Sequence, residues 1–101
     1  MSRRLELHAI LVDILGSNQV YFQPPSSIRM SYPAIVYSRS DKDEKFANDQ
    51  LYIGKKKYLV TVIDKDPDSS IPDEIAKLPL TSFDNFFVAD NLNHDVFSIY
   101  Y

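Results

Sequence analysis

Cysteine and tryptophan are missing from this 101-residue chain, which also has only two glycines and two histidines. Without cysteine there is no disulfide framework, no thiolate nucleophile and no cysteine metal site, a composition that fits a reducing compartment. Gly16 and Gly54 are too few for a glycine-rich phosphate cradle, and neither precedes a lysine-serine pair. No apolar run is long enough to span a bilayer, because "LHAILVDIL" is broken by His8 and Asp13. Arg3 and Arg4 resemble the start of a secretory signal, but Glu6 follows at once and no small-residue cleavage site comes after, so the N-terminus reads as mature structure. Excess positive charge is lacking too. A net charge of -3 and a pI near 5.2 argue against a surface built to neutralise nucleic acid or anionic lipid.

What is present is the composition of one soluble globular domain, 45% hydrophobic and 25% charged, so disorder is not expected. From Leu5 to Leu15 the apolar residues Leu7, Ile10, Leu11 and Ile14 form a helical stripe that Leu15 extends. Ser2 is placed to cap its start, and Gly16 to end it. Burying four aliphatic side chains offers roughly 6–12 kcal/mol of transfer energy, so this helix needs a surface to lie on.

"QVYFQ" reads as a short strand stopped by Pro24 and Pro25. "SYPAIVYSR", Ser31–Arg39, and "KKYLVTVID", Lys56–Asp64, have apolar residues on both alternating faces and read as interior strands. Pro33 belongs at the beginning of the first. Between them, about Ser40 to Lys55 is too long for a tight turn and too polar for a core, and is expected to form a protruding hairpin arm. A second helix of about two turns follows, with Ser70 as N-cap, Pro72, Asp73 and Glu74 in its first turn and Pro79 as its stop. Two last strands, near Ser82–Asp90 and Asp95–Tyr101, flank the turn "NLNH" and pair as a hairpin. The expected fold is α+β, a single domain over 1–101 with a mainly antiparallel sheet, order α-β-β-β-α-β-β, and helices packed on the sheet.

Candidate chemistry is sparse. Asp64, Asp66 and Asp68 alternate as oxygen ligands of a calcium loop would, but Pro67 intrudes, the loop glycine is missing and Ile75 stands where a bidentate glutamate belongs. They read instead as a polar connection into the second helix. A catalytic histidine needs a nucleophile or carboxylate in reach, and Asp95 would point away from His94 if both lie in a strand. We place His94 in the turn and His8 at the solvent edge of the first helix. "GKKK", Gly54–Lys57, reads as a solvated strand entrance rather than an anion site. No catalytic residue, metal ligand or cofactor site is assigned, and the chain is not expected to be an enzyme.

Aromatic residues are plentiful by contrast, seven tyrosines and six phenylalanines. They are ordinary strand residues and also suit protein interfaces. The chain ends in "FFVADNLNHDVFSIYY", and something must cover its last apolar residues.

Three blocks, "VYFQPP" leading to "YPAIVY", "VTVIDKDPDSSIP" and the terminal "DNLNHDVFSIYY", resemble a family of tailed-bacteriophage tail terminator or tail completion proteins, also described as minor capsid or neck proteins. The resemblance runs from about Leu5 to Tyr101. It implies a structural virion protein without catalytic residues that assembles as a homo-oligomer, a six-membered ring where tail meets head, in the cytoplasm of the bacterial host. The implied ring caps the tail tube protein, ends its polymerisation and receives a head-completion or connector protein, while DNA passes through the lumen without sequence-specific binding; no membrane is involved. Under that resemblance Asp41, Lys42, Asp43, Glu44, Lys45, Phe46 and Tyr52 of the arm, with Tyr100 and Tyr101, are candidate contacts to a neighbouring subunit or the tube. Tyr100 and Tyr101 have an equal alternative as core residues. The competing functions are a soluble adaptor or regulatory domain that binds one protein partner through a sheet edge, and a head-completion or connector protein of the same neck.

Overall fold

The N-terminal stripe forms helix α1, Arg3–Leu15, in a computed structural model that describes residues 3–25, 27–40 and 56–101. Leu7 and Leu11 on this stripe are fully buried. Gly16 ends the helix with φ +79°, its N–H donating to the carbonyl of Val12 at 2.8 Å. Glycine takes that left-handed conformation at the least cost. The proposed Ser2 cap and the arm residues 41–55 lie outside the described residues.

The remaining elements are β1, Val20–Phe22; β2, Ala34–Arg39; β3, Lys57–Asp64; α2, Ile71–Ala76; β4, Thr81–Ala89; and β5, Leu92–Tyr100. This is the expected α+β order. The strands form one five-stranded sheet in the spatial order β1-β2-β3-β5-β4. All pairs are antiparallel except β1 with β2, which run parallel with Val20 opposite Ile35. The parallel pair follows from the long connection after Pro24 and Pro25, which carries the chain back to its starting end before β2 begins. β2 starts later than the sequence pattern suggests, just after Pro33, whose bond to Tyr32 is cis.

Alternation along the strands gives the sheet two unlike faces. Ile35 and Tyr37 of β2, Tyr58, Val60 and Val62 of β3, and Phe97 and Ile99 of β5 join Leu7, Leu11 and Ile75 of the helices in one buried cluster. Val36, Leu59, Thr61 and Val96 point to the other face and are only half-buried, while Ala34, Ile63 and Ser98 on that face are buried, so the second face of the interior strands is covered in part. Tyr37 carries a polar group into this cluster. Its hydroxyl accepts a 3.4 Å hydrogen bond from Arg4 Nη1 and lies 2.8 Å from His8 Nδ1. Burial pushes the Tyr37 phenol up from its ordinary value, opposed by the hydrogen bond and charge of the Arg4 guanidinium. His8 is therefore a half-buried partner of Tyr37 and not a solvent-edge residue.

Two further local readings are corrected. Ser70 occupies the N-cap position of α2 but makes no side-chain cap; the Oγ of Ser69 accepts the N–H of Ile71 at 3.2 Å instead. Ser70 is itself in a helical conformation, whereas a capping residue has non-helical backbone. The final hairpin turns at Asp90 and Asn91 alone, with φ +53° and +62°. Those are the values of a two-residue type I′ turn, whose twist matches that of the strands it joins. The tighter turn draws Leu92, Asn93 and His94 into β5, so His94 is a strand residue and not a turn residue.

Candidate assembly surface

Among the described residues β4 is paired on one side only, by β5, and forms one edge of the sheet. Seven of its nine positions are exposed, and only the terminal Thr81 and Ala89 are half-buried. The exposed side chains are large and apolar: Phe83 is 56% exposed, Phe86 47%, Phe87 42% and Val88 60%. Soluble proteins commonly blunt such an edge with lysine, proline or a very short strand. β4 has none of these. Its one irregularity is a register shift between Phe83 and Asn85, where Asp84 is the extra residue and accepts a hydrogen bond from the hydroxyl of Ser98.

The bulge decides where the aromatic rings point. Phe83 lies opposite Phe97 and Phe86 opposite Asp95, both on the helix-covered face, whereas Phe87 lies opposite His94 on the other face. Phe83 meets Phe97 edge-on with ring centres 5.5 Å apart, and Phe87 stacks on His94 at 4.5 Å with planes 11° apart. The rings are thus held on one side by β5 and open to solvent on the other. Aromatic side chains so braced lose little further entropy on being covered.

Beside this edge, between α2 and the strands, is a cleft of about 310 Å³ lined by Pro72, Asp73, Ala76, Phe83, Asp95 and Phe97. Burial raises the carboxyl of Asp95 above the ordinary aspartate value, and the charges of Asp73 and Asp64 push it the same way. Among the described residues neither Asp73 nor Asp95 is in an ion pair; the one pair nearby joins Lys77 Nζ to Glu74 Oε2 at 2.8 Å. The cleft wall is therefore apolar with two carboxyl groups that no ion pair holds among the described residues.

A second cavity, about 240 Å³ and almost wholly apolar, lies between α1 and the chain leading into β4, lined by Leu7, Ile10, Leu78, Pro79, Leu80, Ile99, Tyr100 and Tyr101. Here the chain end is anchored. The N–H of Tyr101 donates to the carbonyl of Lys56 at 2.9 Å and that of Tyr100 to Leu80 at 3.1 Å, while the Tyr101 side chain packs against the buried cluster. Tyr101 thus belongs in part to the core of its own domain, and both tyrosines are half-buried.

The other sequence candidates, Asp41, Lys42, Asp43, Glu44, Lys45, Phe46 and Tyr52, lie outside the described residues. Asp64 and Asp66 serve their own backbone: Asp64 Oδ1 accepts from the N–H of Asp66 at 3.0 Å, and Asp66 Oδ1 from that of Asp68 at 2.9 Å. Among the described residues no group of three histidine, aspartate or glutamate side chains could hold a metal ion. None of the described helices is long and apolar enough to cross a membrane. Sequence reasoning missed β4 as the outstanding surface. The signal present was "FDNFFVA", a strand with phenylalanines on both faces and no lysine or proline to guard it. No protein family, curated protein or solved structure matches this chain.

Proposed function

We propose that this protein is a structural subunit of the head-tail junction of a tailed bacteriophage, forming a ring that caps the tail tube and joins tail to head. The observation that carries the assembly reading is the β4 edge, a nine-residue strand with one side unpaired among the described residues and four large apolar residues exposed along it. Such an edge favours a partner that supplies both hydrogen bonds and apolar cover. The placement in a phage neck is carried by the resemblance of the sequence blocks alone.

Capping works by mismatch. One side of a ring fits the last ring of the tube and the other side does not resemble tube, so the next tube subunit finds no site and growth ends. That second side receives the head-completion or connector protein. The role assigns no catalytic residue or cofactor, and an acidic chain suits a lumen that lets DNA slide without gripping its phosphates.

The decisive experiment has two parts. Light scattering over a concentration series with negative-stain images tests for rings, and adding the protein to growing tail tubes tests for an end to elongation. Rings together with shortened, uniform tubes support the proposal. A protein that leaves tube length unchanged and never appears at tube ends overturns it. The alternative, an adaptor whose β4 edge captures an extended segment of one protein partner, rests on the same edge and predicts a one-to-one complex in place of rings.

A further inference from the structure

We infer that the β4 edge of one copy docks antiparallel against the β1 edge of a second copy of this chain, so that neighbouring subunits share one continuous sheet. The inference deepens the assembly reading and rests on it for the expectation of self-association. The two strands are the opposite ends of the sheet. In β1, Gln19 and Gln23 turn their backbone groups inward, the first accepting from Ile35 and the second donating to Tyr37. The alternation of a strand then turns the backbone groups of Val20 and Phe22 outward, available to a new neighbour.

Charge selects this pairing over others. The described residues before the arm contain four arginines, Arg3, Arg4, Arg29 and Arg39, against Glu6 and Asp13. Residues 56–101 reverse the balance, with eight acidic residues against four lysines. The sheet separates these halves: β1 and β2 at one end, β4 and β5 at the other. Arg4 stands over the ring of Phe22, its guanidinium carbon 4.4 Å from the ring centre, on the helix-covered face at the β1 end. Asp73 and Asp95 line the cleft beside Phe83 and Phe86 on the same face at the β4 end.

Direction agrees as well. From the pairing, β1, β2 and β5 run one way and β3 and β4 the other. A neighbour related by rotation about an axis along the strands keeps its helices on the same side and presents β1 antiparallel to β4. Arg4 then faces the acidic cleft. The alternative two-fold contact of β4 with β4 brings the acidic clefts of both copies to one seam, where like charges repel. A contact between two different surfaces of one subunit closes into a ring when the rotation permits.

The test uses two full-length variants. In the first, Phe86→Lys with Val88→Lys guards the β4 edge; in the second, Arg4→Glu reverses the β1 end, with Arg39→Glu at an exposed position as its second form should Arg4→Glu unfold. Circular dichroism melts establish that each is folded, and sedimentation gives mass. The expected result is a parent that self-associates, two variants that are each monomeric, and an equimolar mixture that stops at a heterodimer, since each variant keeps one intact surface. The parent association should also weaken about tenfold or more between low and roughly 0.5 M salt. An arginine variant that dimerises alone, a lysine variant that assembles like the parent, or a parent monomeric to about 1 mM overturns the contact. Head-to-tail oligomers that leave tail tubes unaffected would overturn the neck reading and keep the contact.

Discussion

β4 and β5 are the two arms of one hairpin, each nine residues long and each rich in aromatic and β-branched residues, yet they have opposite fates. Phe97, Ser98 and Ile99 of β5 are buried, whereas Phe83, Phe86, Phe87 and Val88 of β4 are exposed. Composition does not separate the two strands. Position does: β5 lies between β3 and β4 with its inner face under the helices, while β4 has a neighbour on one side only among the described residues. Apolar residues on the inner strand supply stability, and those on the outer strand stay exposed, the kind of patch that marks an interaction surface in other proteins.

The sharpest way to break this comparison is Phe97→Ala against Val88→Ala. Phe97→Ala should cost about 3–5 kcal/mol through lost burial and the cavity left behind, a large part of the stability of a small domain. Val88→Ala should stay within about 0.5 kcal/mol in the isolated chain and show its effect in association instead. Chemical denaturation of both variants measures the gap; equal losses would mean that β4 is core and would remove the basis for an assembly surface.

A second prediction concerns the chain end that β5 leads into. Removing Tyr101 should lower stability by about 1–3 kcal/mol, because a half-buried aromatic side chain and a backbone hydrogen bond to Lys56 are lost together. A truncated chain with unchanged melting but impaired ring formation would assign Tyr101 to the interface. The turn that makes the hairpin comes next. Asn91→Val should cost about 1–2 kcal/mol, since a β-branched residue at φ +62° clashes where asparagine is tolerated, and Asn91→Gly should be neutral or stabilising in the same melt.

The smallest expected effect is electrostatic. The folded chain holds the proton of Asp95 to higher pH than the unfolded chain, so folding is favoured while this carboxyl is protonated and stability falls as pH rises through the interval between the two values. Asp95→Asn should therefore raise the melting temperature slightly at neutral pH, with the gain shrinking as pH is lowered below that interval. A gain that grew on acidification would contradict the burial and charge repulsion assigned to Asp95.

Much of the fold was legible because its signals are local. The 3.6-residue spacing of Leu7, Leu11 and Ile14, the Gly16 stop and the alternation in "KKYLVTVID" each report on a few neighbouring residues, and α1 and β3 fall where these patterns place them. The turn was less legible: "DNLNH" offers several residues that tolerate left-handed backbone, and only the pairing of Ala89 with Leu92 selects Asp90 and Asn91. His8 was misplaced for a related reason. Its partner Tyr37 is 29 residues away and becomes visible only when α1 lies on the sheet.

By itself the sequence determined the class of the protein: one cysteine-free α+β domain, seven elements in order, and an excess of aromatic strand residues. Tertiary structure decided which strands became edges, that β1 runs parallel to β2, and that one of two similar aromatic strands is covered while the other stays open. Helix and strand periodicity is written in adjacent residues, but strand order depends on contacts between segments far apart in the chain. Exposure depends on that order.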